Sequence, residues 1–105
     1  MIYNKLVRDR IPDIIRASGK EPVIRTLDDG EYFRCLNEKL DEEVAEFHAD
    51  RTVEELADIL EVVFALTEAL GVSREELMQI YGKKHSTRGG FQDRLFLVAD
   101  TDGEI

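Results

Sequence analysis

Two pairs of carboxylates stand out in the stretch EEVAEFHADRTVEELAD, residues 42–58: Glu43 with Glu46, and Glu55 with Asp58. Each pair is spaced i,i+3, which on an α-helix places both side chains on one face. Carboxylates that converge in a narrow space repel and raise one another's pKa. A hard cation bound through oxygen relieves that repulsion. Mg²⁺ suits the four best, because it prefers carboxylate oxygens, keeps several waters and shares its shell with substrate phosphates. Mn²⁺ is the candidate substitute. No His or Cys joins the cluster, which argues against zinc or copper.

The elements that must position these groups are legible from periodicity. A long helix is expected over 31–49, with Leu36, Leu40, Val44 and Phe47 on one face. At about 100° per residue, Glu43 falls at the edge of that face and Glu46 further round. Glu38 and Glu42 lie on the wet side. A second long helix opens at Thr52, where Thr52-Val-Glu-Glu55 has the form of a capping box. Ile59, Leu60, Val63, Leu66 and Leu70 continue its apolar stripe to Gly71. Glu55 falls between Val62 and Ile59 in angle, inside the apolar face, and Asp58 lies about 40° beyond Val62. A carboxylate inside an apolar stripe is unfavourable unless its charge is compensated. A turn of five residues makes the two helices antiparallel neighbours, so the pairs face one another. The competing reading is an acidic solvated surface, with Glu55 serving as the capping acid.

The remaining segments complete an all-α antiparallel bundle of about four helices. Ile11 and Pro12 start a short helix with Ile11, Ile14 and Ile15 as its stripe and Gly19 as its stop. PVIRTL (22–27) reads as extended, and Asp28, Asp29 and Gly30 as a turn. Ser73-Arg-Glu-Glu76 repeats the capping-box pattern before a third long helix, with Leu77, Ile80 and Tyr81 inward, fraying by Gly89 and Gly90. RLFLVAD (94–100) has strand propensity or forms a packed tail. With 105 residues, no linker and no repeat, one domain spanning 1–105 is expected. Apolar residues on both sides of the second long helix, Phe64 opposite Leu66, suit a core enlarged by association.

Composition narrows the function classes. Acidic residues outnumber basic ones 23 to 14, a formal charge of -9, which argues against a broad nucleic-acid footprint. It does not exclude a phosphorylated small molecule, since a bound divalent cation reverses the local field. Two basic clusters flank the acidic centre, KLVRDR (5–10) and KKHSTRGGF (83–91). Lys84 and Arg88, spaced i,i+4, share a helix face and suit phosphate oxygens, with dipole compensation in a last turn as the alternative. Cys35 is the single cysteine, so no intrachain disulfide forms and a reducing compartment is expected. No apolar leader precedes residue 5 and no run reaches the length of a membrane span. A cytoplasmic location without membrane association follows. Neither His48 nor His85 has a Ser or Cys partner that would signal a nucleophilic triad.

Together these residues resemble a known family. Glu43-x-x-Glu46 followed by Glu55-x-x-Asp58 is similar to the ExxE…ExxD signature of the MazG-like all-α nucleoside triphosphate pyrophosphohydrolases. The opening YNKLVRDRIP and the later K-x-x-x-RGGF resemble a small single-domain branch of phosphoribosyl-ATP pyrophosphohydrolase-like proteins. The resemblance covers residues 3 to 91. It implies Mg²⁺-dependent cleavage between the α- and β-phosphates of a nucleotide, giving monophosphate and pyrophosphate. It makes Glu43, Glu46, Glu55 and Asp58 the metal ligands and catalytic set, with Glu42 a candidate to position water. Lys84 and Arg88 become candidates for the phosphate chain, and Lys5 and Arg8 for phosphate or for closing the site. It also implies a homodimer or homotetramer. Two alternatives remain open at this point: hydrolysis of phosphoribosyl-ATP in histidine biosynthesis, and a non-enzymatic helical dimer that binds nucleotide or acts as a scaffold. The eight-residue gap between the acidic pairs leaves little loop for reading a base.

Overall fold

Asp28 decides where the first long helix begins. In the computed structural model, which describes residues 1–101, the Asp28 carboxylate accepts from the Glu31 N–H at 2.8 Å. The Glu31 carboxylate accepts in return from the Asp28 N–H at 3.4 Å, completing a capping box. Asp29 and Gly30, expected in a turn, therefore belong to the helix. Arg25 adds a two-pronged ion pair to Glu31, at 2.9 and 3.2 Å. This pairing and the backbone bond from Asp28 hold the Glu31 carboxyl down at about 2.

Four helices are described: α1 (Ile11–Ala17), α2 (Asp29–Asp50), α3 (Val53–Ala69) and α4 (Arg74–Arg88). No strand occurs among the described residues, so the fold class is all-α as expected. Residues 20–28 carry neither helix nor strand, and Val23 and Ile24 are exposed. The stretch 94–100 is neither strand nor packed tail: Leu95, Phe96, Leu97 and Val98 are all exposed, because no apolar surface within their own unit covers them. Packing divides the chain into two compact units, Met1–Arg74 and the part from Glu75 onward.

The first unit is built on α2 against α3. The expected five-residue turn is shorter, because α2 runs to Asp50 and only Arg51 and Thr52 lie between the helices. Arg51 adopts the left-handed conformation (φ 55°, ψ 42°) and donates its N–H to the Phe47 carbonyl at 2.8 Å, which reverses the chain at once. Leu36 of α2 and Val62 of α3 are the buried apolar residues among those described. Leu40, Val44, Phe47, Ile59, Val63 and Leu66 are half-buried around them. Leu60 and Leu70, expected in the stripe, are exposed. Leu60 lies with Val53 and Leu56 on an arc of α3 turned away from the face that carries Val62. The α1 stripe is likewise narrower than expected: Ile11 and Ile15 are half-buried and Ile14 is exposed. Gly19 ends that segment at φ +87°, a conformation open to glycine.

The second unit contains α4 from Glu75 and the segment after it. Leu77 is half-buried, whereas Ile80 and Tyr81, expected inward, are exposed. A lone helix has no second apolar face of its own unit to meet. The helix ends at Arg88, before Gly89 at φ +78°.

Candidate functional site

The tight α2–α3 turn sets the register of the acidic residues. One carboxylate oxygen each from Glu43, Glu55 and Asp58 lies within 4.8 Å of the other two. Glu43 comes from α2, and Glu55 and Asp58 from the first two turns of α3. Glu46 contributes no oxygen to this group and is exposed, but its charge still bears on both Glu43 and Glu55.

Glu43 is the unusual member. It is only 7% exposed, level with the apolar Val62 across the interface. Lys39, one turn earlier on α2, donates to the site from 3.4 Å at Glu43 Oε1 and also reaches Glu42 Oε2 at 3.4 Å. Glu43 Oε2 is buried with no hydrogen-bond partner, and so is Glu55 Oε2. Burial pushes the Glu43 carboxyl up from its ordinary value, opposed by the Lys39 hydrogen bond and reinforced by Glu46. Glu55 is also pushed up, by burial first and then by the neighbouring charges of Glu46, Asp50 and Asp58.

Glu55 does not act as a capping acid. Thr52 Oγ1 accepts from the Glu55 N–H at 3.4 Å, but the box is not completed and the carboxylate is left to face the cluster. A buried carboxylate oxygen without a partner is costly. Glu43, Glu55 and Asp58 together form an all-oxygen donor set that fits a hard divalent cation, and two of the three carry such an unpartnered oxygen.

Basic groups stand beside the acidic cluster. Arg8, in the segment before α1, places one guanidinium nitrogen 3.3 Å from Asp58 Oδ1 and the other 3.3 Å from Glu61 Oε1. Lys5 is exposed and has no ion pair within 4.0 Å among the described residues. Residues of the N-terminal segment, α2 and α3 line a half-open cavity of about 300 Å³, among them Leu6, Arg8, Lys39, Glu43, Asp58 and Phe64. At its far wall the Arg74 guanidinium lies 3.8 Å above the Phe64 ring, a cation–π contact. Lys84 and Arg88 belong to the second unit, where both are exposed on the last two turns of α4.

Lys39 is the site residue that sequence reasoning missed. Its signal was present: a lysine three and four residues before Glu42 and Glu43 is a natural helical ion-pair partner.

Comparison with known proteins gives little beyond this geometry. No family model and no solved structure matches the chain. A Mycolicibacterium smegmatis protein, described as uncharacterized, is 67% identical over 48 residues, which are 46% of this chain and 49% of that protein. The chain thus spans about half the length of the curated relative it matches. Among the described residues no helix is long and apolar enough to cross a membrane.

Proposed function

We propose that the chain is a Mg²⁺-dependent nucleotide pyrophosphohydrolase that cleaves between the α- and β-phosphates of a nucleoside triphosphate, in a house-cleaning role. The observation that carries this reading is the convergence of Glu43, Glu55 and Asp58, with two buried carboxylate oxygens lacking partners. The resemblance of the two acidic pairs to the MazG-like signature supplies the reaction.

In this reading Glu43, Glu55 and Asp58 hold the cation, with Glu46 at the open flank completing the set through its own shell or a water. The cation supplies neutralisation of phosphate charge and a more acidic bound water. The protein's residues do the remainder. Lys39 fixes the Glu43 carboxylate by holding one of its oxygens, so the other stays directed away from that bond. Glu42, also held by Lys39, is exposed enough to accept a proton from an attacking water. Arg8 and Lys5 are the cations of this unit available to the phosphate chain, and Lys84 and Arg88 are phosphate candidates on the resemblance alone. No covalent intermediate with the protein is required. The exposed apolar row Val53, Leu56 and Leu60 on α3 supports association into a homodimer or homotetramer.

The test is product analysis. The purified protein is incubated with Mg²⁺, a panel of standard and modified nucleoside triphosphates, and phosphoribosyl-ATP. Monophosphate with pyrophosphate is the expected pair, and a preference for phosphoribosyl-ATP would assign the histidine-pathway substrate. Diphosphate with orthophosphate would overturn the proposed cleavage position.

A further inference from the structure

Resting on the cation site of the proposed function, we infer that Arg8 is the exchangeable counter-ion of that site: its guanidinium balances Asp58 and Glu61 in the metal-free protein, gives way when a divalent cation binds, and is then free to bind a phosphate anion.

Three features of the molecule support the exchange. First, the guanidinium already occupies a cation's place. Its two terminal nitrogens each lie 3.3 Å from a carboxylate oxygen, one on Asp58 within the acidic cluster and one on Glu61 beside it. Asp58 thus serves as both an arm of the cluster and an anchor for Arg8, and a divalent charge beside Asp58 repels the guanidinium.

Second, the pair is built to release. The Arg8 side chain is 60% exposed and its partners 40% and 49%. Exposed pairs of this kind contribute little and part readily. Lys39 differs: its side chain is 17% exposed and sits one turn from Glu43 on the same helix, so it stays in place.

Third, release does not carry Arg8 away. Leu6 and Val7, just before it, are half-buried and line the same cavity as Glu43 and Asp58, while α1 begins at Ile11. The segment between these anchors has no helix or strand to fix it, so the side chain can turn while its backbone remains at the cavity wall. A planar guanidinium held there matches phosphate oxygens in a two-pronged fashion.

The exchange predicts opposite responses to two ligands. Calorimetric titration of Mg²⁺ into the wild type, Arg8→Gln and Arg8→Lys, followed by pyrophosphate in excess Mg²⁺, reads both. Arg8→Gln is expected to bind Mg²⁺ about three- to fivefold more tightly, the scale of an exposed ion pair. Its Mg²⁺-loaded form is expected to bind pyrophosphate at least about tenfold more weakly, the scale of a charge-assisted bond. Arg8→Lys retains the charge and should stay within about twofold of the wild type for Mg²⁺. An Arg8→Gln chain that binds both ligands more weakly would show a structural role and overturn the exchange. An unchanged Mg²⁺ affinity in Arg8→Gln, beside a wild type that binds Mg²⁺, also overturns it while leaving the cation site standing. A wild type that takes no Mg²⁺ overturns both.

Discussion

Replacing Glu43 by Gln should move stability in opposite directions with and without Mg²⁺. The wild-type carboxylate is 7% exposed, has one buried oxygen without a partner, and lies near Glu55 and Asp58. An unsatisfied buried polar atom costs about 1–3 kcal/mol. The amide keeps the shape, removes the charge, and has an N–H group to donate to the neighbouring Glu55 or Asp58 carboxylate, which satisfies the orphaned position. Lys39 does not become an orphan, since Glu42 remains 3.4 Å away. The net gain for the metal-free variant is then about 1 kcal/mol, the lower part of that range. For a domain of this size such a gain raises Tm by about 4–8 °C. In Mg²⁺ at about 100 times its Kd, the wild type gains about 2.7 kcal/mol that a variant without the site does not. The order of the two melting curves should therefore reverse between chelator and Mg²⁺. Scanning calorimetry or thermal circular dichroism on both proteins in both buffers reads it. A variant less stable than wild type in chelator, or a wild-type Tm indifferent to Mg²⁺, would refute the reasoning.

Two further outcomes follow from the same structure. Glu43 and Glu55 both titrate above their ordinary value of 4.5, so their protonated forms are favoured by the fold. Their contribution is fully present below 4.5 and is lost as pH rises through the raised values, so the urea midpoint in chelator should climb as pH falls from neutral toward that ordinary value and decline again below it, where Glu31, held at about 2, begins to lose its contribution; a midpoint flat from neutral pH down to the ordinary carboxylate value would contradict this. Arg51→Gly should stabilise the chain by about 0.5–1 kcal/mol in urea unfolding, because the left-handed backbone at φ 55° is strained for Arg and free for Gly, less the extra freedom glycine gives the unfolded chain; destabilisation would mean that the Arg51 side chain holds the turn.

Much of the α2–α3 pair was legible because helical period and caps are local signals. The angle of Glu55 within its apolar stripe marked a buried carboxylate, and Thr52 marked the start of α3. Four features were not legible, each for a physical reason. The Asp28 capping box was read as a turn because Asp-Asp-Gly satisfies both patterns, and only the reciprocal Glu31 bond decides between them. The exposed position of Glu46 beside the buried Glu43 depends on the rotation of α2 against α3, which periodicity gives only within tens of degrees. The partners of Arg8 lie 50 and 53 residues away on another helix, beyond any local pattern. The inward face expected for α4 failed because an apolar stripe states a preference for burial and does not supply the surface that covers it.

The most direct test of the central claim is turnover by three proteins side by side: the wild type, Glu55→Gln, and Glu38→Gln, whose residue is exposed on α2 outside the cluster. Each is incubated with Mg²⁺ and the preferred triphosphate, and monophosphate and pyrophosphate are quantified. The account predicts equal rates for the wild type and Glu38→Gln, and a rate at least about a hundredfold lower for Glu55→Gln, the scale expected when a group that holds transition-state charge in place is removed. Undiminished turnover by Glu55→Gln would place the chemistry elsewhere and contradict the account.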